Sequence, residues 1–332
     1  MASDTSRQLA STPRNRAENP RFAQTESARG YRGRFAPSPT GPLHFGSIIA
    51  AVGSYLQARR CRGEWLVRID DLDGPRTEPG AANAILAELE RLGLYWDGDV
   101  CYQSTRTERY RDGLERLREA GWTFPCGCSR KDFDGVYPGT CRDGLVPGRR
   151  ARTRRMRVCG ISVELDDAVQ GRCNQRLPES VGDFVIRRAD GIFAYHLAVV
   201  VDDAEFGITD IVRGADLLDS TPRQIHLQRC LGLPTPGYAH LPVAVNAVGQ
   251  KLSKQTYAEP VTGNPAVPLV IDALEFLGQQ PERALNDASL DELWSWAIAH
   301  WRMERVPRLR AIHWPPGQAV PHGSPISAKL TD

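Results

Sequence analysis

The 332-residue chain predicts an α/β fold built on a parallel sheet with crossover helices. Three observations point there. A strand end, a Pro/Gly turn and a helical pattern follow one another between Arg34 and Arg60. Gly63–Asp70 reads as a buried strand and leads into an amphipathic helical pattern over 79–92. The same order returns at Ile208–Arg213, a strand ending in Gly214, and a helix through Pro222–Leu231. Strand–helix alternation of this kind closes a ligand crevice beyond the C-terminal ends of the strands.

Composition bounds the classes. With 41% hydrophobic residues the chain can bury one large core or two modest ones. A net charge of +2 neither demands nor excludes nucleic acid, so local arginine clusters have to make that argument. No apolar run approaches the roughly 20 residues that span a bilayer, which argues against a membrane protein. Residues 1–30 hold no hydrophobic segment that could export the chain and read as a disordered extension. Eight cysteines without an export signal suggest reduced thiols or a metal site, and a cytoplasmic compartment.

Taken in order, RFAPSPTGPLHFGS (34–47) ends a strand, breaks at two prolines and opens a helix with Ile48, Ile49, Val52 and Leu56 at helical spacing. Unpaired N–H groups and the helix dipole converge at such a turn and favour an anion, with His44 and Ser47 as added donors. The strand 63–70 delivers Asp70, Asp71 and Asp73 to its C-terminal end. Helices are expected over 79–92 and Glu108–Ala120, stopped by Gly93 and Gly121.

From Cys126 to Gly148 no period holds. Cys126, Cys128 and Cys141 on an irregular loop suit tetrahedral zinc; the residues alone leave the fourth ligand open among Tyr137, Asp132 and Asp134. The arginine-dense run 149–157 reads equally as a phosphate-binding patch or a solvated strand face. A strand is expected over Val158–Leu165, and a hairpin from Asp183–Arg188 and Ile192–Tyr195 around Asp190-Gly191. Beyond Pro234 the chain is expected to loop to Lys251 and Lys254, two lysines able to close over a triphosphate. Ser289 and Glu292 form a capping box for a last helix, whose stripe from Leu290 to Trp301 reads as core packing.

These strings together resemble the class I aminoacyl-tRNA synthetases in their glutamyl branch. RFAPSPTGPLHFGS is similar to the first signature, KLSKQ (251–255) to the second, usually written KMSKS, and YHLAVVVDD (195–203) with VRGADLL (212–218) to a glutamyl-family block. The resemblance implies a Rossmann-like parallel sheet in two halves (31–125 and 189–235), a zinc-binding insertion (126–188), and a region 236–332 holding the lysine loop and a small helical part.

It further implies glutamate contacts at Arg34, Ala36, Ser38, Asp70, Tyr195 and Arg213. ATP and its Mg²⁺ would be held at His44, Gly46 and Lys254, with catalysis from His44, Ser47, Lys251 and Lys254. Structural zinc would sit on Cys126, Cys128, Tyr137 and Cys141. Asp70 departs from the family pattern, which has Glu there, so its ammonium contact is expected to be longer, water-bridged or passed to Asp71.

Only residues 256–332 follow the lysine loop, short of the roughly 100–150 residues of an ordinary domain. The chain is therefore similar to truncated members of the branch that carry no anticodon-binding domain. Those members activate L-glutamate with ATP and pass it to queuosine in the anticodon loop of tRNA(Asp). The resemblance thus implies glutamate, ATP and queuosine-containing tRNA(Asp) as partners of a monomer. Two rival expectations are a truncated glutamyl-tRNA synthetase that charges the tRNA 3′ end, and a non-catalytic RNA-binding paralogue.

Overall fold

The structure is a computed structural model that describes residues 30–145, 147–252 and 260–314. Residues 1–29 of the expected extension, Lys254 and Gln255 of the lysine loop, and the tail from 315 lie outside these described residues.

β1 (Arg32–Phe35) runs through the proline turn into α1 (Phe45–Arg60) and returns as β2 (Glu64–Ile69), which pairs with β1 in parallel, Arg34 opposite Leu66. α1 is buried nearly all round, from Ile48 to Ala58, as a helix sandwiched between layers must be. α2 (Ala81–Arg91) follows and ends at Gly93, whose φ of +70° suits glycine. β3 (Cys101–Tyr102) extends the parallel sheet beside β2, and α3 (Thr107–Glu119) completes the first half.

The pairing then turns antiparallel. β4 (Thr123–Cys126) and β5 (Thr153–Met156) pair, and β6 (Ser162–Asp167) with β7 (Gly171–Arg176) forms a hairpin. A one-turn α4 (Leu177–Ser180) leads to β8 (Phe184–Arg187), which closes the sheet β4-β5-β8.

Two expectations need correction here. The strand expected over Val158–Leu165 begins at Ser162, and the arginine run itself supplies β5. Arg155 is buried, with its guanidinium over the rings of Phe133 and Tyr137, while Arg149, Arg150 and Arg152 are exposed. The hairpin expected around Asp190-Gly191 forms, with Arg187 bridging Phe193, Arg188 N–H bonding to Ile192 C=O (2.8 Å) and Ala194 N–H to Ile186 C=O (3.0 Å), but its second arm stops short of Tyr195. Tyr195 instead opens α5 (Tyr195–Glu205), because Leu197, Ala198, Val200 and Val201 bury together at helical spacing.

β9 (Asp210–Gly214), α6 (Thr221–Leu231) and β10 (Gly237–Leu241) form the second parallel unit, with Arg213 opposite His240. Backbone bonding of Thr209 N–H to Arg32 C=O, 2.9 Å, ties it to β1. The loop expected beyond Pro234 is in part strand: β10 is followed by β11 (Val243–Val245). α7 (Ala266–Phe276) and α8 (Leu290–His300) pack on α1, and β12 (Ala311–His313) pairs with β11 in parallel.

The Ser289–Glu292 capping box is present, and Leu293, Trp294 and Ala297 of the α8 stripe are buried as core. Three buried indole N–H groups in this core find acceptors: Trp294 the Leu92 carbonyl (2.8 Å), Trp301 Gln57 Oε1 (2.7 Å), Trp65 Ser54 Oγ (3.0 Å); that of Trp296 has none among the described residues.

Candidate active site and thiol cluster

The two signature segments meet at the start of α1. His44 is the N-cap: its Nδ1 accepts the Ser47 N–H at 3.3 Å and its Nε2 lies 3.2 Å from Ser47 Oγ. No acidic residue occupies the first turn, so the positive end of the dipole stays uncompensated there. A Cβ on Gly46 would stand 3.1 Å from the Leu252 carbonyl, so glycine lets the lysine segment approach. Leu252 N–H bonds to Ala244 C=O (2.8 Å), and Val261 N–H to Leu43 C=O (3.1 Å). His44 also forms a bridge with Pro260.

Leu252 and Pro260, the described residues on either side of 253–259, thus both lie beside the start of α1. Lys251 reaches Asp216 Oδ2 at 2.6 Å. Burial, then the charge of Lys251, lowers the His44 pKa to about 4, so its ring is neutral at physiological pH.

At the C-terminal ends of β1 and β2 lies a buried ionic network. Arg34 Nε donates to Asp203 Oδ1 at 3.2 Å, and Arg68 Nη1 donates to the same oxygen at 2.6 Å. Arg68 Nε holds Asp70 Oδ1 at 2.6 Å. Asp202 is held by Arg106 (2.7 Å), Gln103 (2.8 Å) and Tyr110 (2.8 Å).

Asp70 is therefore fixed by an arginine two residues earlier on its own strand face. Burial raises its pKa against the opposing pull of Arg68. Asp71, the expected substitute for it, is occupied by the N–H and hydroxyl of Ser104 at 2.8 and 2.6 Å. Ala36 and Ser38 lie in the turn between β1 and α1, Ser38 exposed, with its carbonyl accepting the Thr40 N–H at 2.8 Å. Sequence reasoning passed over Arg68, Asp202 and Asp203, although their strings had been singled out.

Arg213, at the end of β9, is buried. Its Nε donates to His240 Nε2 (3.1 Å) and its Nη2 to Thr221 Oγ1 (2.8 Å) and Gln224 Oε1 (2.7 Å). All three partners are uncharged, and Nη1 has no hydrogen-bond partner among the described residues. A strand-end salt bridge, the plain alternative reading of Arg213, is absent among the described residues. His196 Nδ1, Arg223 Nε and Gln224 Nε2 are likewise buried without partners there. Burial, then the charges of Arg223 and Arg213, lowers the His196 pKa to about 3. Tyr195, at the first position of α5, stays exposed.

The sulfur atoms of Cys126, Cys128 and Cys141 lie within 4.8 Å of one another, all buried. Cys128 and Cys141 Sγ are 3.7 Å apart; zinc bound at about 2.3 Å sets tetrahedral sulfurs about 3.8 Å apart. The Tyr137 oxygen is 3.4 Å from Cys126 Sγ and accepts the Cys141 N–H at 2.8 Å. Burial raises the Cys141 pKa, but hydrogen bonds from the Gly127 N–H and Tyr137 bring it down to about 7. Of the other candidates, Asp132 caps its own turn and pairs with Arg149 at 2.7 Å, and Asp134 is exposed.

An α/β fold with parallel strands, and two phosphate-type signatures joined at a helix N-terminus, define a class I synthetase catalytic domain. The chain belongs to that family, described as "tRNA synthetases class I (E and Q), catalytic domain", which matches residues 31–135 and 141–265. A protein named "Glutamyl-Q tRNA(Asp) synthetase" from Aromatoleum aromaticum is 57% identical over 292 residues, 85% of this chain and 92% of that one.

Another of that name, from Dechloromonas aromatica, is 55% identical over 296 residues, 86% of this chain and 98% of its own. Among solved structures, a glutamate-tRNA synthetase from Elizabethkingia anophelis superposes with a TM-score of 0.73 at 24% identity, covering 87% of this chain and 68% of that one. That likeness concerns the fold. No described helix is long and apolar enough to cross a membrane.

Proposed function

We propose that this chain activates L-glutamate with ATP and transfers the glutamyl group to queuosine in the anticodon loop of tRNA(Asp), acting in the cytoplasm. The observation that carries glutamate as substrate is Arg213: a buried guanidinium with uncharged partners and an unpartnered Nη1 asks for a carboxylate. The names of the relatives support the acceptor. Arg34, Ala36, Ser38, Asp70 and Tyr195 complete the amino-acid site. Asp70, held by Arg68, faces the ammonium.

In the first step the glutamate α-carboxylate attacks the α-phosphorus of Mg²⁺-bound ATP, and the bond to pyrophosphate breaks. Gly46, Ser47, His44 and the α1 N-terminus hold the triphosphate, while Lys251 and Lys254 offset charge developing in the transition state. In the second step a queuosine hydroxyl oxygen attacks the glutamyl carbonyl carbon. AMP leaves, and its phosphate takes the hydroxyl proton. Neutral His44 positions and caps: its Nδ1 accepts the Ser47 N–H, and its one ring N–H, on Nε2, serves as a hydrogen-bond donor. The protein supplies mainly positioning and electrostatics.

Cys126, Cys128, Cys141 and Tyr137 would hold one structural zinc ion, which pins the β4–β5 connection and takes no part in either step.

Pyrophosphate exchange into ATP tests the reading. Exchange is expected with L-glutamate in the absence of tRNA, and not with aspartate or glutamine. Exchange that ignores the amino acid would overturn it.

A further inference from the structure

Arg213 and His240 are direct partners across the parallel β9–β10 pair, so their side chains share one face of the sheet. Arg213 Nε lies 3.1 Å from His240 Nε2. A guanidinium nitrogen only donates, so that imidazole nitrogen must be the bare acceptor. The ring is then neutral, with its proton on Nδ1, and Nδ1 stands 2.6 Å from Asp167 Oδ2. The other Asp167 oxygen accepts the N–H groups of Val169 (3.0 Å), Gln170 (2.9 Å) and His240 itself (3.0 Å). Asp167 and His240 side chains are fully buried. Asp167 comes from the end of β6, and its turn docks on β10 through Ala168 N–H to Tyr238 C=O, 2.9 Å.

A contrast within the site gives this chain of bonds its meaning. Arg34 and Arg68 donate directly to Asp203, so their charges are neutralised where they stand. Arg213 is instead kept one imidazole ring away from its carboxylate. Nε and Nη2 are fixed, Nη1 has no partner among the described residues, and the positive charge stays available to an anion.

We infer that His240 is a positioning residue for Arg213: Asp167 selects its Nδ1–H tautomer, and the bare Nε2 holds the guanidinium with Nη1 turned to the substrate carboxylate. The inference rests on the reading of Arg213 as the glutamate ligand. It also makes a residue of the antiparallel hairpin a determinant of glutamate affinity.

Asp167→Asn is the sharpest variant, because it keeps the shape and the oxygen that gathers three N–H groups. Its amide nitrogen would donate to Nδ1, driving the ring proton to Nε2, where it opposes the Arg213 N–H and can turn only to Thr221 Oγ1, 3.0 Å away, so the Arg213 Nε bond is lost. In glutamate-dependent pyrophosphate exchange, the KM for glutamate is expected to rise roughly 10- to 100-fold. The KM for ATP should stay within about twofold, since among the described residues neither side chain hydrogen-bonds to His44, Gly46 or Ser47. His240→Phe should show a similar loss. His240→Gln, which offers both a donor and an acceptor, should recover part of it.

Long-range ¹H–¹⁵N spectra of imidazole-labelled protein should report Nδ1–H for His240 in the wild type and Nε2–H in Asp167→Asn. Folded Asp167→Asn with wild-type glutamate KM, or an Nε2–H ring in the wild type, would overturn the inference. The spectra decide it even if His240→Phe fails to fold. Wild-type exchange that does not respond to glutamate would overturn the reading of Arg213 instead, and the spectra would still test the tautomer.

Discussion

Lys251 Nζ lies 2.6 Å from Asp216 Oδ2, which ties the first lysine of the second signature to the turn that follows Arg213. The amino-acid and triphosphate sites therefore share a joint. On the proposed reading this ammonium also offsets charge developing on the phosphates. Both side chains are more than 30% exposed, so the pair itself adds little to stability. Lys251→Ala is expected to lower kcat for pyrophosphate exchange about 100-fold, the scale of one lost transition-state donor, with the thermal midpoint unchanged. Unchanged exchange would remove Lys251 from the mechanism.

Arg213→Lys tests the fork. Lysine keeps the charge but cannot make three bonds to His240, Thr221 and Gln224 and still reach an anion. The KM for glutamate should rise by 10-fold or more, read by pyrophosphate exchange, while ATP binding is preserved.

The thiol cluster predicts one zinc per chain, measurable by elemental analysis of protein purified without added metal. Cys128→Ser, or a strong chelator, should remove it and loosen the β4-β5-β8 sheet first. The parallel core packs through separate clusters of side chains, so hydrogen exchange should accelerate near Cys126–Arg155 before it does in α1.

His44 has an acid signature. Its pKa falls from an unfolded value near 6.5 to about 4 in the folded chain, chiefly through burial. Between those values the unfolded chain binds the extra proton, so this group's contribution to stability declines as pH drops from 6.5 toward 4 and levels off below. His44→Asn keeps a cap at α1 and should flatten that part of the pH–stability curve, measured by denaturant melts.

Much of the site was legible because it sits in short strings whose chemistry is local. The turn from Arg34 to Ser47, the Asp70 strand end and the Ser289 capping box each carry their own signal. What stayed hidden is long-range. β10 and β11 are short runs, buried except at Gly237 and without a period, so they read as loop.

The arginine run became a central strand because the rings of Phe133, Tyr137 and Phe124 cover Arg155 and Arg157. No spacing within the run could reveal that. Asp167 and His240 are 73 positions apart, so only the folded hairpin brings them together.

The central claim is the acceptor. Labelled glutamate should be offered with ATP to tRNA from cells able to make queuosine and from cells unable to, and the labelled tRNA cut to separate the anticodon loop from the 3′ end. Label confined to the anticodon fragment of the queuosine-containing stock is the predicted result. Label at the 3′ end of both stocks would contradict it.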